Sequence, residues 1–308
     1  MRILVIGAGG FVGEKLTSRL KNSDYEVFAG FRKPVHQSDV YIDILDKKSL
    51  DYAMKAISPD CIYHLAAQTK VWESWNDPKS FLETNAIGTL NVIESVMDYA
   101  PNAKIVMIGS SEEYGLSALQ GVPLSEETPC NPQNPYAISK FAAGQLALQL
   151  GIKHNLNIVH VRAFNHYGPG QHTGFVISDF ISQIVDIESA LIEPVMTVGD
   201  LSALRDFTYI DDIIEAYISL LNQKVTPGIY NVCSKKNVSI QEILDTLLML
   251  SNQKISVEID AQRFRKNNVP IFLGSYDKLN QATGWYPKVN LVEGLSNTLE
   301  WWRTYKKV

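Results

Sequence analysis

The chain has 308 residues, enough for two small domains or one large α/β unit with an elaboration. Its 45% hydrophobic and 20% charged residues suit an ordinary globular protein, and a net charge of −5 gives no electrostatic reason to expect nucleic acid or an anionic membrane as partner. No apolar run reaches the roughly 18 residues of a spanning helix, and Cys61, Cys130 and Cys233 are odd in number and far apart, so neither a disulfide framework nor a zinc site is suggested and a reduced, cytoplasmic setting is expected.

Residues 3–6 are continuously apolar and run straight into Gly7-Ala8-Gly9-Gly10-Phe11-Val12-Gly13, followed by an amphipathic segment to about residue 20. Strand, glycine turn and helix form the context a phosphate-binding loop needs, because glycines let backbone N–H groups and the positive helix end approach a pyrophosphate. The spacing is Gly7-x-x-Gly10-x-x-Gly13, and the alternative is a plain tight turn. Residues 26–31 read as a second strand whose end should meet an adenosine ribose. An NAD-specific site usually puts a carboxylate there, but this chain has Arg32 and Lys33, and a guanidinium suits a 2′-phosphate. NADPH is therefore expected over NADH.

Residues 40–44 read as a short third strand with Asp43 and Ile44 at its end, and Asp46 as the cap of a helix over 47–57. Residues 61–65 form a fourth strand leading into Ala66 and Ala67, small enough to let a cofactor pass closely; His64 reads as a packed strand residue. A long helix is predicted over 80–99, with Leu82, Ala86, Leu90, Ile93 and Val96 or Met97 on one face and Asn85 within it. Residues 104–108 make a fifth strand, and Ser110, Ser111 and Glu112 leave from its C-terminal end, the edge where open α/β sheets bind ligands.

Asn134 and Pro135 then open a helix as N-cap and first residue. Tyr136 and Lys140, four apart, share one face of it. A phenol beside an ammonium should have its pKa lowered and could exchange a proton with an oxygen. Alone, the spacing also fits an exposed Tyr with a solvated Lys. A sixth strand over 157–162 completes an alternation that argues a parallel, doubly wound sheet. Beyond it the pattern mixes a helix near 175–187, short strands near 195–198 and 229–232, a helix over 211–221 and a closing helix over 291–305, whose Val292, Leu295, Leu299 and Trp302 recur at helical spacing. The second domain is thus expected to be discontinuous, with residues 1–166 and 206–233 forming the dinucleotide-binding unit and 167–205 and 234–308 the other.

The Gly7–Gly13 loop, Asp43, His64-Leu65-Ala66-Ala67, Asn85, Ser110-Ser111-Glu112, Tyr136-x-x-x-Lys140 and Arg162-x-x-Asn165 together resemble the extended branch of the short-chain dehydrogenase/reductase family over nearly the whole chain. Within it, residues 162–179, 183–188, 198–201, 205–208 and 230–234 resemble the GDP-4-keto-6-deoxy-D-mannose reductases. The resemblance implies an α/β fold with a Rossmann-type NADP-binding domain and a smaller α/β C-terminal substrate domain. It implies Ser110, Tyr136 and Lys140 as the catalytic set. A cofactor site follows from Gly7, Gly10, Phe11, Val12, Gly13, Arg32, Asp43, Ile44, Leu65, Ala66, Ala67, Asn85, Tyr136 and Lys140. The nucleotide sugar would meet Ser111, Glu112, Asn165, Val198, Arg205, Arg265 and Asn268.

The family pattern Arg-Pro-x-Glu-Val reads Arg265-Lys266-Asn267-Asn268-Val269 here, so Asn268 stands where a ribose-contacting Glu is usual, a weaker, uncharged acceptor. The activity implied is NADPH-dependent reduction of the C4 ketone of a GDP-4-keto-6-deoxy sugar, hexose or heptose, for surface polysaccharide. The alternatives are a GDP-sugar 4,6-dehydratase with tightly held NADP and Glu112 as base, and a non-catalytic nucleotide-binding subunit. Helices over 80–99 and 135–150 resemble the seam of a homodimer.

Overall fold

The successive apolar runs of the first half become strands of one parallel sheet, in a computed structural model that describes residues 1–263 and 269–306. In chain order these are β1 (Arg2–Ile6), α1 (Phe11–Lys21), β2 (Glu26–Phe31), β3 (Val40–Tyr41), α2 (Lys47–Ile57), β4 (Cys61–His64), α3 (Val71–Asn76), α4 (Pro78–Leu82), α5 (Gly88–Tyr99), β5 (Lys104–Ile108), α6 (Pro135–His154) and β6 (Asn157–Ala163). There follow β7 (Asn165–Tyr167), α7 (Val176–Glu188), β8 (Val195–Val198), β9 (Leu204–Tyr209), α8 (Ile210–Ser219), β10 (Gly228–Val232), β11 (Asn237–Ser239), α9 (Ile240–Leu250), β12 (Ser256–Ile259), β13 (Ile271–Phe272), α10 (Asp277–Thr283) and α11 (Leu291–Tyr305).

The seven-stranded sheet runs β10-β6-β5-β4-β1-β2-β3, every neighbouring pair parallel. Strand side chains alternate between faces, and helices cover both, so the strands are apolar throughout. Ile3 and Val5 of β1 join one core with α1, α7 and α8, while Leu4 and Ile6 join the other with α2 and α5. From β1 the chain winds outward through β2 to β3 and then returns to β4 on the other side. The crevice at that reversal, outside the carboxyl ends of β1 and β4, is where this topology binds ligands.

Four expectations are corrected by the packing. The third strand is two residues long, because Asp43 turns the chain: its Oδ1 accepts from the Leu45 N–H at 2.9 Å and its own N–H donates to Ser49 Oγ at 3.0 Å. The helix predicted over 80–99 starts at Pro78 and carries a π turn, Glu83–Ile87, between α4 and α5. One extra residue per turn rotates everything before it, so Phe81 is buried while Leu82 is 41% exposed. In α11, Leu295, Leu299 and Trp302 are core but Val292, in the first turn of the helix, is 55% exposed.

The fourth correction concerns the boundary expected at residue 206, which cuts through a strand. β9 pairs with β7, β11 and β13 in a second, four-stranded sheet. The chain rejoins the large sheet only with α8, tied to α1 by the Arg19–Glu215 ion pair at 2.8 Å, and with β10.

Candidate active site

The glycine loop closes the end of β1 onto β4. Gly7 adopts φ +91°, a conformation that favours glycine, and a Cβ there would lie 2.7 Å from Ala66 N; one on Gly13 would lie 2.2 Å from Gly7 O. Gly10 is the N-cap of α1 and supplies no side-chain bond to its first turn. The N–H groups at Phe11 and Val12 thus lack the side-chain partner that ends most helices. Arg32, just past β2, is exposed and forms no ion pair with the described residues. This donor set fits a dinucleotide: backbone N–H groups for a pyrophosphate and a guanidinium for a phosphate on the ribose. Leu65, Ala66 and Ala67 follow β4 half-buried, and Ile44 is buried, its carbonyl accepting from Asn91 Nδ2 at 2.9 Å.

Asn85 is buried. Its Oδ1 accepts from the Gln68 N–H at 2.8 Å, and its Nδ2 donates to Gln68 O at 3.1 Å and to Ser139 Oγ at 2.9 Å. Ser139 Oγ in turn donates to the Tyr136 carbonyl at 2.7 Å. Asn85 therefore braces the loop after β4 against the first turns of α6.

At the end of β5, Ser110 caps a 3-10 turn, Ser111–Tyr114; its Oγ accepts from the Glu112 N–H at 3.2 Å and its own N–H donates to Glu113 Oε1 at 2.9 Å. Asn134 caps α6 as expected, its Oδ1 accepting from the Ala137 N–H at 2.8 Å, and its Nδ2 donates to Glu112 Oε2 at 3.0 Å. Ser110, Tyr136 and Lys140 are brought together. The Tyr136 phenol lies within reach of the Ser110 side chain, and the Lys140 ammonium donates to the Ile108 carbonyl at the end of β5.

The acidity of Tyr136 differs from the expectation. Burial raises its pKa well above that of a free phenol, the nearby Ser110 side chain lowers it, and Glu112 and Glu113 raise it further. Lys140 is brought down to about 8 by burial, with Glu113 pulling the other way. A four-residue spacing puts the two on one helix face, but burial, which the spacing does not reveal, outweighs the pair.

The other named residues are more scattered. Ser111 is buried and Glu112 half-buried beside it. Asn165 lies in β7, paired with Phe207. Val198 is a core side chain at the end of β8. Arg205 donates from its guanidinium to the carbonyls of Leu204 (2.9 Å) and Pro270 (3.2 Å) and lies over Phe272. Arg265 and Asn268 lie outside the described residues.

Sequence reading passed over Glu113 and His160. Both are buried and in contact, with Arg162 Nε donating to the same carboxylate at 3.1 Å. The signal was available: His160 and Arg162, two apart in an apolar strand, share one face and need a buried anion.

The family described as GDP-mannose 4,6 dehydratase matches residues 4–298. The chain belongs to this group of the extended short-chain dehydrogenase/reductase family. It is 33% identical to the GDP-6-deoxy-D-mannose reductase of Pseudomonas aeruginosa over 98% of this chain and 97% of that one. The GDP-mannose 4,6 dehydratase 1 of Arabidopsis thaliana is 30% identical over 93% of this chain and 85% of its own. Among solved structures, RMD from Pseudomonas aeruginosa complexed with NADPH superposes with a TM-score of 0.88 at 32% identity, covering 99% of each chain. The seven-stranded sheet and the glycine loop are thus the family's dinucleotide-binding fold.

Proposed function

We propose that the protein is an NADPH-dependent reductase of the C4 ketone of a GDP-4-keto-6-deoxy sugar. The observation that carries the reading is the meeting of Ser110, Tyr136 and Lys140 at the carboxyl end of β5, in a chain similar throughout to a GDP-6-deoxy-D-mannose reductase. NADPH, when bound, supplies the hydride. Burial keeps the proton on Tyr136 at neutral pH, so the residue begins as the donor that a reduction needs. As negative charge grows on the sugar oxygen, Tyr136 protonates it and the Ser110 hydroxyl donates a hydrogen bond that strengthens with the charge. Lys140, fixed on the Ile108 carbonyl, holds a cation beneath the pair. The exposed Arg32 supports a 2′-phosphate and hence NADPH.

In this reading Gly7, Gly10, Phe11, Val12 and Gly13 hold the pyrophosphate, and the smaller sheet with its helices takes the GDP-sugar, a hexose or its heptose homologue. A homodimer seam along α4–α5 and α6, a cytoplasmic location and a place in surface-polysaccharide synthesis belong to the same proposal. Glu112 favours a second reading as a dehydratase, since its carboxylate stands at the N-terminus of α6 beside Tyr136 and the family matched is described by that activity.

Two incubations separate the readings. With GDP-4-keto-6-deoxy-D-mannose, NADPH should be consumed and NMR should show a new C4 alcohol. With GDP-mannose and no added reductant, nothing should change. A 4-keto product from GDP-mannose without net NADPH use would overturn the reductase reading in favour of the dehydratase.

A further inference from the structure

Beneath the end of β5 lies a charged cluster that the proposed chemistry does not use. Glu113, His160 and Arg162 are 0%, 1% and 3% exposed. His160 Nε2 lies 3.1 and 3.0 Å from the two Glu113 oxygens, and an ionised carboxylate only accepts, so the imidazole carries its proton on Nε2. Arg162 Nε donates to Oε2 at 3.1 Å, and its guanidinium lies 4.6 Å from the centre of the Tyr114 ring. Space around the imidazole is closed: a Cβ on Gly144 of α6 would lie 2.6 Å from His160 Nε2. A buried carboxylate is costly unless paired and hydrogen-bonded. Here the last bond to Glu113 comes from the N–H of Ser110 itself, at 2.9 Å.

We infer that Glu113, clamped by His160 and Arg162, is a positioning residue that fixes Ser110 through its backbone and supplies the negative charge felt by Tyr136 and Lys140. This rests on the reading of Ser110, Tyr136 and Lys140 as the proton-transfer set. The carboxylate sits one short turn from Ser110 and takes its N–H, which places the charge beside the pair. Burial pushes the Glu113 carboxyl up, but His160, Arg162 and the Ser110 N–H outweigh it, so it stays ionised. Its field raises the pKa of both Tyr136 and Lys140. The groups around it are His160 and Arg162 from β6, Tyr136 and Lys140 from α6, and Glu112 and Tyr114 from its own turn; Cys130 faces the same cluster.

Glu113→Gln keeps the shape and an acceptor for the Ser110 N–H but removes the charge. With GDP-4-keto-6-deoxy-D-mannose and NADPH, kcat should fall about tenfold while the KM for NADPH stays within about twofold. The alkaline limb of the kcat profile should move to lower pH by about one unit, since Tyr136 and Lys140 then release their protons more readily. A lowered kcat with the limb unmoved would assign Glu113 to the scaffold alone and overturn the inference, as would wild-type values of both. Should that variant fail to fold, Glu113→Asp keeps the charge but withdraws it from the Ser110 N–H, so kcat should fall with the limb in place; a displaced limb overturns the inference. Tyr136→Phe in the same assay distinguishes the two levels. Near-normal turnover there removes the reading of the site and the inference with it, whereas an inactive Tyr136→Phe beside an unchanged Glu113→Gln removes the inference alone.

Discussion

The two sheets each bury a carboxylate, and they hold it in different ways. Glu113, at the end of the large sheet, is paired with the Arg162 guanidinium and bonded by the His160 ring, both from a neighbouring strand. Asp206, in β9 of the small sheet, forms no ion pair among the described residues. Its oxygens accept from the N–H groups of Ser234 (2.6 Å), Lys235 (2.9 Å) and Gly274 (3.2 Å) and from Ser234 Oγ (2.7 Å). Burial lowers no barrier to charging in either case, yet the outcomes are opposite: Glu113 stays below the usual carboxylate range and Asp206 is pushed up to about 6. Side chains of a regular strand, set against a carboxylate in a short turn, keep it charged. Hydrogen bonds from loops make a clasp that titrates.

The largest expected effect breaks the large-sheet side of this contrast. Tyr136→Phe removes the proton donor while leaving its ring against Phe81, and turnover should fall about 10²-fold or more with NADPH affinity kept. Turnover near that of the parent would take Tyr136 out of the chemistry. Next in size is Arg32→Ala at the open end of β2. A charge-assisted bond to a phosphate is worth roughly 1.5–3 kcal/mol, so the KM for NADPH should rise about tenfold or more, with NADH little affected. An unchanged preference between the two cofactors would show that Arg32 does not read the 2′-phosphate.

The same contrast explains what the sequence made legible. Where an apolar run, a cap and a period agree, the element is where it was expected: β2, β5, β8 and α11 have the predicted bounds, and Asp46 and Asn134 are the caps they promised to be. The glycine loop and the Tyr136–Lys140 face follow from spacing alone. The π turn at Glu83–Ile87 leaves no mark in local composition, and it reassigns the buried face of the helix that precedes it. The raised acidity constant of Tyr136 and the Glu113 cluster both depend on what lies around a residue in three dimensions, as does the membership of β9 in the small sheet. Of these, only the cluster had a sequence signal, two cationic or polar side chains on one face of an apolar strand.

The smallest expected effect tests the clasp. In Asp206→Asn the amide can still accept from Ser234, but its Nδ2 turns a second donor toward the Lys235 and Gly274 N–H groups, which should cost about 1–3 kcal/mol of stability. The pH dependence is more specific than the loss. Because the folded pKa is raised to about 6 from an ordinary 3.8, the folded state favours the protonated form. The stability this group contributes is full below the unfolded value and is lost as pH rises through about 6. The Tm of the parent protein, relative to that of Asp206→Asn, should therefore decline between about pH 4 and about pH 7 and be level above it. A difference that is flat across that window would mean that the four donors keep Asp206 ionised throughout, and the small sheet would then hold its carboxylate as firmly as the large one does.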